Sequence, residues 1–167
     1  MIYKPDWIKV YRMANEILVV SETIESFPFS TTKLIKKFSD LSICSFKNAR
    51  ERGVEPTHFG SDSAFIVKMN GRHIILFNDK HPKSRIQFSL LHEFGHFLLG
   101  HQFRNINDEL YGVQEVETNF FAAQLLMPKQ LIQELFSRGV KIDEKFLVNY
   151  FGVSKEAARK RLEYLDK

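Results

Sequence analysis

The sequence predicts an α+β fold: a helix-rich single domain with a small sheet packed beside one long helix that carries His92-Glu93-Phe94-Gly95-His96 (HExxH). Three observations carry that reading. The stretch around HExxH has helical flanks and an apolar stripe of helical period. Residues 64–77 show two short apolar runs joined by Asn70-Gly71, the signal of a two-residue hairpin. Most of the remaining chain shows apolar positions three and four apart, with Gly and Pro as punctuation.

The chain has 167 residues, 44% of them hydrophobic and 16 of them Phe, enough to build a real core in one domain spanning 1–167. Cys44, the single cysteine, excludes an intrachain disulfide; in LSICSF it reads as a small buried residue rather than a nucleophile. MIYKPDWIKVYRMANEILVV carries charges throughout, which excludes a signal peptide or membrane span there and makes cytoplasmic location the default. A net charge of +4 is too modest to name a partner.

Trp7 to about Val20 has a stripe of Ile8, Tyr11, Ala14 and Leu18, with Asp6 as a cap; this helix forms an N-terminal extension within residues 1–30. Pro28 and Ser30-Thr31-Thr32 break it. A short helix is expected over Lys33–Phe38, a strand over Ser42–Phe46 and a loop over residues 53–62. Ala64–Met69 and His73–Phe77 form the hairpin, and the imperfect alternation of HIILF predicts a strand covered on both faces. Pro82 or Ser84 starts the long helix and Gly100 ends it. Helices follow over Val113–Met127, Pro128–Arg138, Glu144–Phe151 and Ser154–Leu165. The last two, with Gly152 between them, make residues 140–167 resemble a helix-turn-helix. Lys155, Arg159, Lys160 and Arg161 are expected on the solvated face of the last helix, with Ala157, Ala158, Leu162 and Leu165 packing inward. Direct DNA binding is therefore not expected.

His92 and His96, four apart, share one helix face and can converge on one Zn²⁺, or Mn²⁺, as metal ligands. With His92 as zero angle, Ile86, Leu90, Phe94 and Phe97 fall at about 120–200°, so the helix is buried with one polar seam. Glu93 stands about 100° from His92, beside the metal but off the ligand axis, where a carboxylate can take a proton from water as the catalytic base. Gly95 in mid-helix suggests close approach by another backbone, of protein or substrate. A third ligand is required. The glycine and histidine of the longer metzincin pattern fall at the wrong offsets, Gly100 and His101, although His101 can still fold back. The next helix offers Glu115 and Glu117, two apart and on opposing faces; periodicity does not choose between them. Tyr111, His101 and Arg104, from the segment between the two helices, are candidates for stabilising an oxyanion.

FSLLHEFGHFLLGH, followed some twenty residues on by EVETNFFAAQLLMP, resembles the ImmA/IrrE family of bacterial and phage metallopeptidases. The family's second motif, E-x-N-x-F-A-A-x-L-L-M-P, maps onto Glu117, Asn119, Phe121, Ala122, Ala123, Leu125, Leu126, Met127 and Pro128. The resemblance covers about residues 30–165, including IILFN to Asn78 and FGVSKEAARKRLEYL; leucine is commoner where Phe94 stands. It implies Glu117 as the third ligand. It implies a zinc endopeptidase whose protein substrate is an XRE-type helix-turn-helix repressor, cleaved to release stress, phage or mobile-element genes. The alternatives are a non-catalytic metal-binding regulator of a repressor or DNA, and a toxin–antitoxin or phage-defence component.

Overall fold

The computed structural model describes residues 4–22, 26–38, 40–101 and 109–165. In chain order these build α1 (Trp7–Val20), α2 (Thr31–Ile35), β1 (Leu41–Ser45), α3 (Phe46–Glu51), β2 (Ala64–Met69), β3 (Arg72–Phe77), α4 (Lys83–Leu99), α5 (Glu109–Leu126), α6 (Lys129–Ser137), α7 (Glu144–Phe151) and α8 (Lys155–Leu165). Asp6 caps α1 by accepting from Lys9 N–H, as expected. The segment expected as a strand to Phe46 ends at Ser45, whose hydroxyl accepts from Asn48 N–H and opens α3. Three residues of one cap decide that switch, too few for periodicity to register.

The sheet has order β1-β3-β2, with β1 parallel and β2 antiparallel to β3. Its register separates two faces. Ile66 and Ile75 face one another across the hairpin and join the main core with Leu90, Leu91 and Phe94 of α4. Their neighbours Phe65 and Leu76 point the other way, into a smaller cluster with Phe46 and Ala49 of α3. That period-two division covers β3 on both faces and explains its imperfect alternation. Asn70 at φ 50 and Gly71 at φ 78 supply the two left-handed residues of the hairpin turn.

α4 runs beneath the sheet, and α5 packs along it with α1 on α5's far side. Val10, Ala14, Ile17 and Leu18 of α1 therefore share one core with Phe121, Ala122 and Leu125 of α5. Fully burying side chains of this size stabilises by roughly 1.5–3 kcal/mol each. Gly95 is the contact point of α4 and α5: a Cβ there would lie 2.9 Å from Phe121 Cδ1 and 3.3 Å from Thr118 Cγ2. The close approach is thus made by side chains of α5, not by a backbone.

α7 ends at Gly152 (φ 69), and α8 returns against it. Lys155, Arg159 and Lys160 are exposed, and the latter two pair with Glu144 (3.3 Å) and Glu156 (2.9 Å). Arg161 corrects the expectation for this helix. It is 3% exposed, three residues after fully buried Ala158 and so on the inward side of α8.

Candidate metal centre

α4 delivers two imidazoles because His92 and His96 sit one turn apart on its polar seam. Their Nε2 atoms lie 3.1 Å from each other. α5 delivers a carboxylate: Glu115 Oε1 is 3.1 Å from His96 Nε2 and Glu115 Oε2 is 3.3 Å from His92 Nε2. Tetrahedral donors at Zn–N distances of 2.0–2.1 Å stand about 3.3–3.4 Å apart, so this set fits a divalent cation with little movement. Neutral nitrogen and anionic oxygen donors suit Zn²⁺.

Glu117, expected as the third ligand, is elsewhere. Measured from Thr118, which faces Gly95, Glu115 lies about 60° round α5 on one side and Glu117 about 100° on the other. Only Glu115 turns towards the α4 histidines. Glu117 Oε1 instead accepts from Asp6 N–H (2.6 Å) at the start of α1, and its Oε2 contacts His101 Nε2 at 2.9 Å. α5 is buried against both α4 and α1, which is why periodicity left the choice open.

His101 does fold back. Gly100, left-handed at φ 70, closes α4 with bonds from Gly100 N–H to Phe97 O (3.3 Å) and from His101 N–H to His96 O (3.0 Å). His101 Nδ1 then meets His96 Nδ1 at 3.1 Å. With His96 Nε2 free to coordinate, its Nδ1–H donates to His101 Nδ1, and His101 Nε2–H donates to Glu117. His92 is held likewise, its Nδ1 3.0 Å from Asn119 Oδ1. Asn119 and the His101–Glu117 pair thus hold the His92 and His96 rings through their Nδ1 atoms, leaving both Nε2 atoms towards Glu115. Burial lowers the His101 pKa, helped by the neighbouring His96, which favours the neutral ring that this chain of bonds needs.

Glu93 points beside this group. Burial, more than the nearby Glu115 charge, pushes its carboxyl up to about 7 against the pull of His92, and Ile66 N–H of β2 bonds to it. Glu115 is held well below the usual carboxylate range by its bonds to His92 and His96. Tyr111, in the first turns of α5, donates its hydroxyl to Glu115 and lines the same cleft. That cleft, of about 400 Å³, runs between Ser63–Phe65 of the β2 edge and the α4–α5 seam. Buried Thr118 stands close to the histidines, with Oγ1 3.4 Å from His92 Nε2. Thr118 and Gln114 are polar yet buried on the α5 face that meets α4, a burial that only the packed structure reveals. Arg104 lies outside the described residues.

An HExxH helix whose histidines meet an acid from the following helix, with the intervening glutamate buried alongside, defines a metallopeptidase. The chain belongs to the Peptidase_M78 family, the IrrE N-terminal-like domain, which it matches over residues 46–163. No curated protein matches it. Among solved structures, it is similar to a Mycobacterium tuberculosis transcriptional regulator at a TM-score of 0.60 and 13% identity, a likeness of fold. The match covers 92% of this chain and 46% of that one, so this chain spans about half its length.

Proposed function

We propose that this chain is a zinc-dependent endopeptidase of the cytoplasm that cleaves an XRE-type helix-turn-helix repressor and so releases the genes it silences. One observation supports the chemistry above others: His92, His96 and Glu115 converge on a single point while Glu93 stands beside them without joining the set. A purely structural site prefers four protein ligands and has no use for that carboxylate.

When bound by these three residues, the cation supplies Lewis acidity, polarising the scissile carbonyl and acidifying water. The chain's own residues do the rest. Glu93, held by Ile66 N–H, takes a proton at its carboxyl oxygen and returns it to the leaving amine. Asn119 and the His101–Glu117 pair keep both rings turned so that their Nε2 atoms face Glu115. Tyr111 lines the cleft, and its one hydroxyl proton, which bonds to Glu115, can turn to the developing oxyanion once Glu115 holds the cation. β2 is an edge strand of the sheet, so an extended substrate segment can add to it beside Glu93.

The repressor as substrate rests on the resemblance to ImmA/IrrE proteins. Among the described residues no helix is long and apolar enough to cross a membrane, in keeping with a cytoplasmic target. The test is co-incubation with an XRE-type repressor encoded beside this chain, with and without chelator, read by mass spectrometry. Discrete products that vanish with chelator are expected; an intact repressor at stoichiometric metal overturns the assignment.

A further inference from the structure

A second groove, of about 630 Å³, runs between the starts of α1 and α4, the outer side of α5, and α8. Its apolar walls include Trp7, Val116, Phe120 and Tyr164, of which Trp7 and Val116 are each 44% exposed and Tyr164 57%. It adjoins the catalytic cleft, with Phe88 and Asn119 lining both, and Asn119 holds His92. The metallopeptidase chemistry above leaves this groove without a role.

Arg161 lines it. Although 3% exposed, this guanidinium forms no ion pair among the described residues, and its Nε has no hydrogen-bond partner. Its one bond runs from Nη2 to Gln124 Oε1, a neutral oxygen that also accepts from Lys129 N–H. Two donors fill that oxygen's lone pairs, leaving nothing for Nε. A cation taken out of water against a single neutral acceptor is left uncompensated. Burial accordingly draws Arg161 down to about 10. Glu156, the acid in the groove wall, is already paired with Lys160. Exposed Arg85 and the start of α4, which no side chain caps, add positive charge from the opposite wall.

We infer that this groove anchors the polypeptide being cleaved by an acidic side chain flanked by large apolar residues, the carboxylate reaching Arg161 and the apolar flank lying against Trp7, Phe120 and Tyr164. The occupant is assigned to the substrate because the groove borders the cleft that holds His92, with Phe88 and Asn119 in both walls; in that respect the inference rests on the peptidase reading. Arginine's fork suits a carboxylate, and desolvation strengthens the pairing.

The test uses the metal-loaded full chain carrying Glu93→Gln, which retains substrate without turnover. It is exposed to an array of synthetic 15-residue peptides in which each Asp or Glu beside Phe or Leu is matched by its Asn or Gln counterpart. Acidic members are expected to bind at least about tenfold more tightly than their amide twins, a difference of about 1.4 kcal/mol. Adding Arg161→Gln should erase that preference with metal content unchanged, and Arg161→Lys should keep part of it. Equal binding of acidic and amide peptides, or a preference that survives Arg161→Gln, overturns the inference. If Arg161→Gln does not fold, Val116→Trp, which fills the groove from exposed α5 surface, decides: lost acidic binding supports the inference and unchanged binding overturns it. Acidic preference with no cleavage of any bound peptide by the wild-type chain counts against the peptidase reading and supports the groove as a binding site.

Discussion

Glu93 and Glu115 both neighbour His92, and their surroundings move the two carboxyls in opposite directions. Burial raises Glu93, while bonds to His92 and His96 lower Glu115. That split accords with the proposed mechanism, in which Glu93 transfers the proton and Glu115 holds the cation. Glu93→Gln should therefore keep stoichiometric metal, measured by elemental analysis, while kcat falls at least about 10²–10⁴-fold; full activity would remove Glu93 from the mechanism. Glu115→Ala should lose metal outright. Glu117→Ala and His101→Ala act one bond further out, through the orientation of His96, and should weaken metal about 10–100-fold in chelator competition. Were Glu117→Ala the variant that emptied the site and Glu115→Ala the one that kept it, the arrangement described here would be wrong.

At the scale of elements, the contact between α4 and α5 hinges on Gly95. Alanine would gain about 1 kcal/mol of helix propensity there. Its methyl would also meet Phe121 at 2.9 Å, in a core where overpacking costs about 1–3 kcal/mol. Gly95→Ala should thus be neutral to destabilising in denaturant titration, and Gly95→Leu clearly destabilising with a loss of metal, because Thr118 and Glu115 would be pushed off the histidines. The α7–α8 pair has the outline of a DNA reader, but of its four basic candidates only Lys155 is both exposed and outside an ion pair among the described residues. Arg159 and Lys160 are engaged with Glu144 and Glu156, and Arg161 is buried. Anisotropy titrations on duplex DNA at two salt concentrations should show no sequence preference; tight binding that falls steeply with salt, lost when Lys155, Arg159 and Lys160 are neutralised, would show α8 reading DNA.

For the whole molecule, the metal centre sits on a polar seam beside an apolar core shared by α1, the sheet, α4 and α5. Chelation should leave the far-ultraviolet circular dichroism unchanged, unlike a zinc finger, which unfolds without its ion. Metal at 100 times its Kd should add about 2.7 kcal/mol of stability, raising Tm by roughly 5–10 °C in calorimetry. Collapse of the fold on chelation would mean that the seam, not the core, carries the stability.

The long helix, its glycine stop, the hairpin and the pair His92–His96 were legible because each depends on near neighbours: a 3.6-residue turn, a left-handed glycine, an Asn-Gly pair. The choice of Glu115 over Glu117 was not legible, because it depends on how far α5 is rotated when Thr118 and Phe121 seat against Gly95. Arg161 escaped for a related reason. Its charge predicts a solvated position, while its place three residues after Ala158 turns it inward once α8 docks. The sequence by itself determined the metal chemistry and the helix that bears it. Tertiary packing alone decided which acid completes the group, which histidine stands behind it, and which arginine is left inside without a counter-charge, since each is a matter of rotation between helices that no local pattern records.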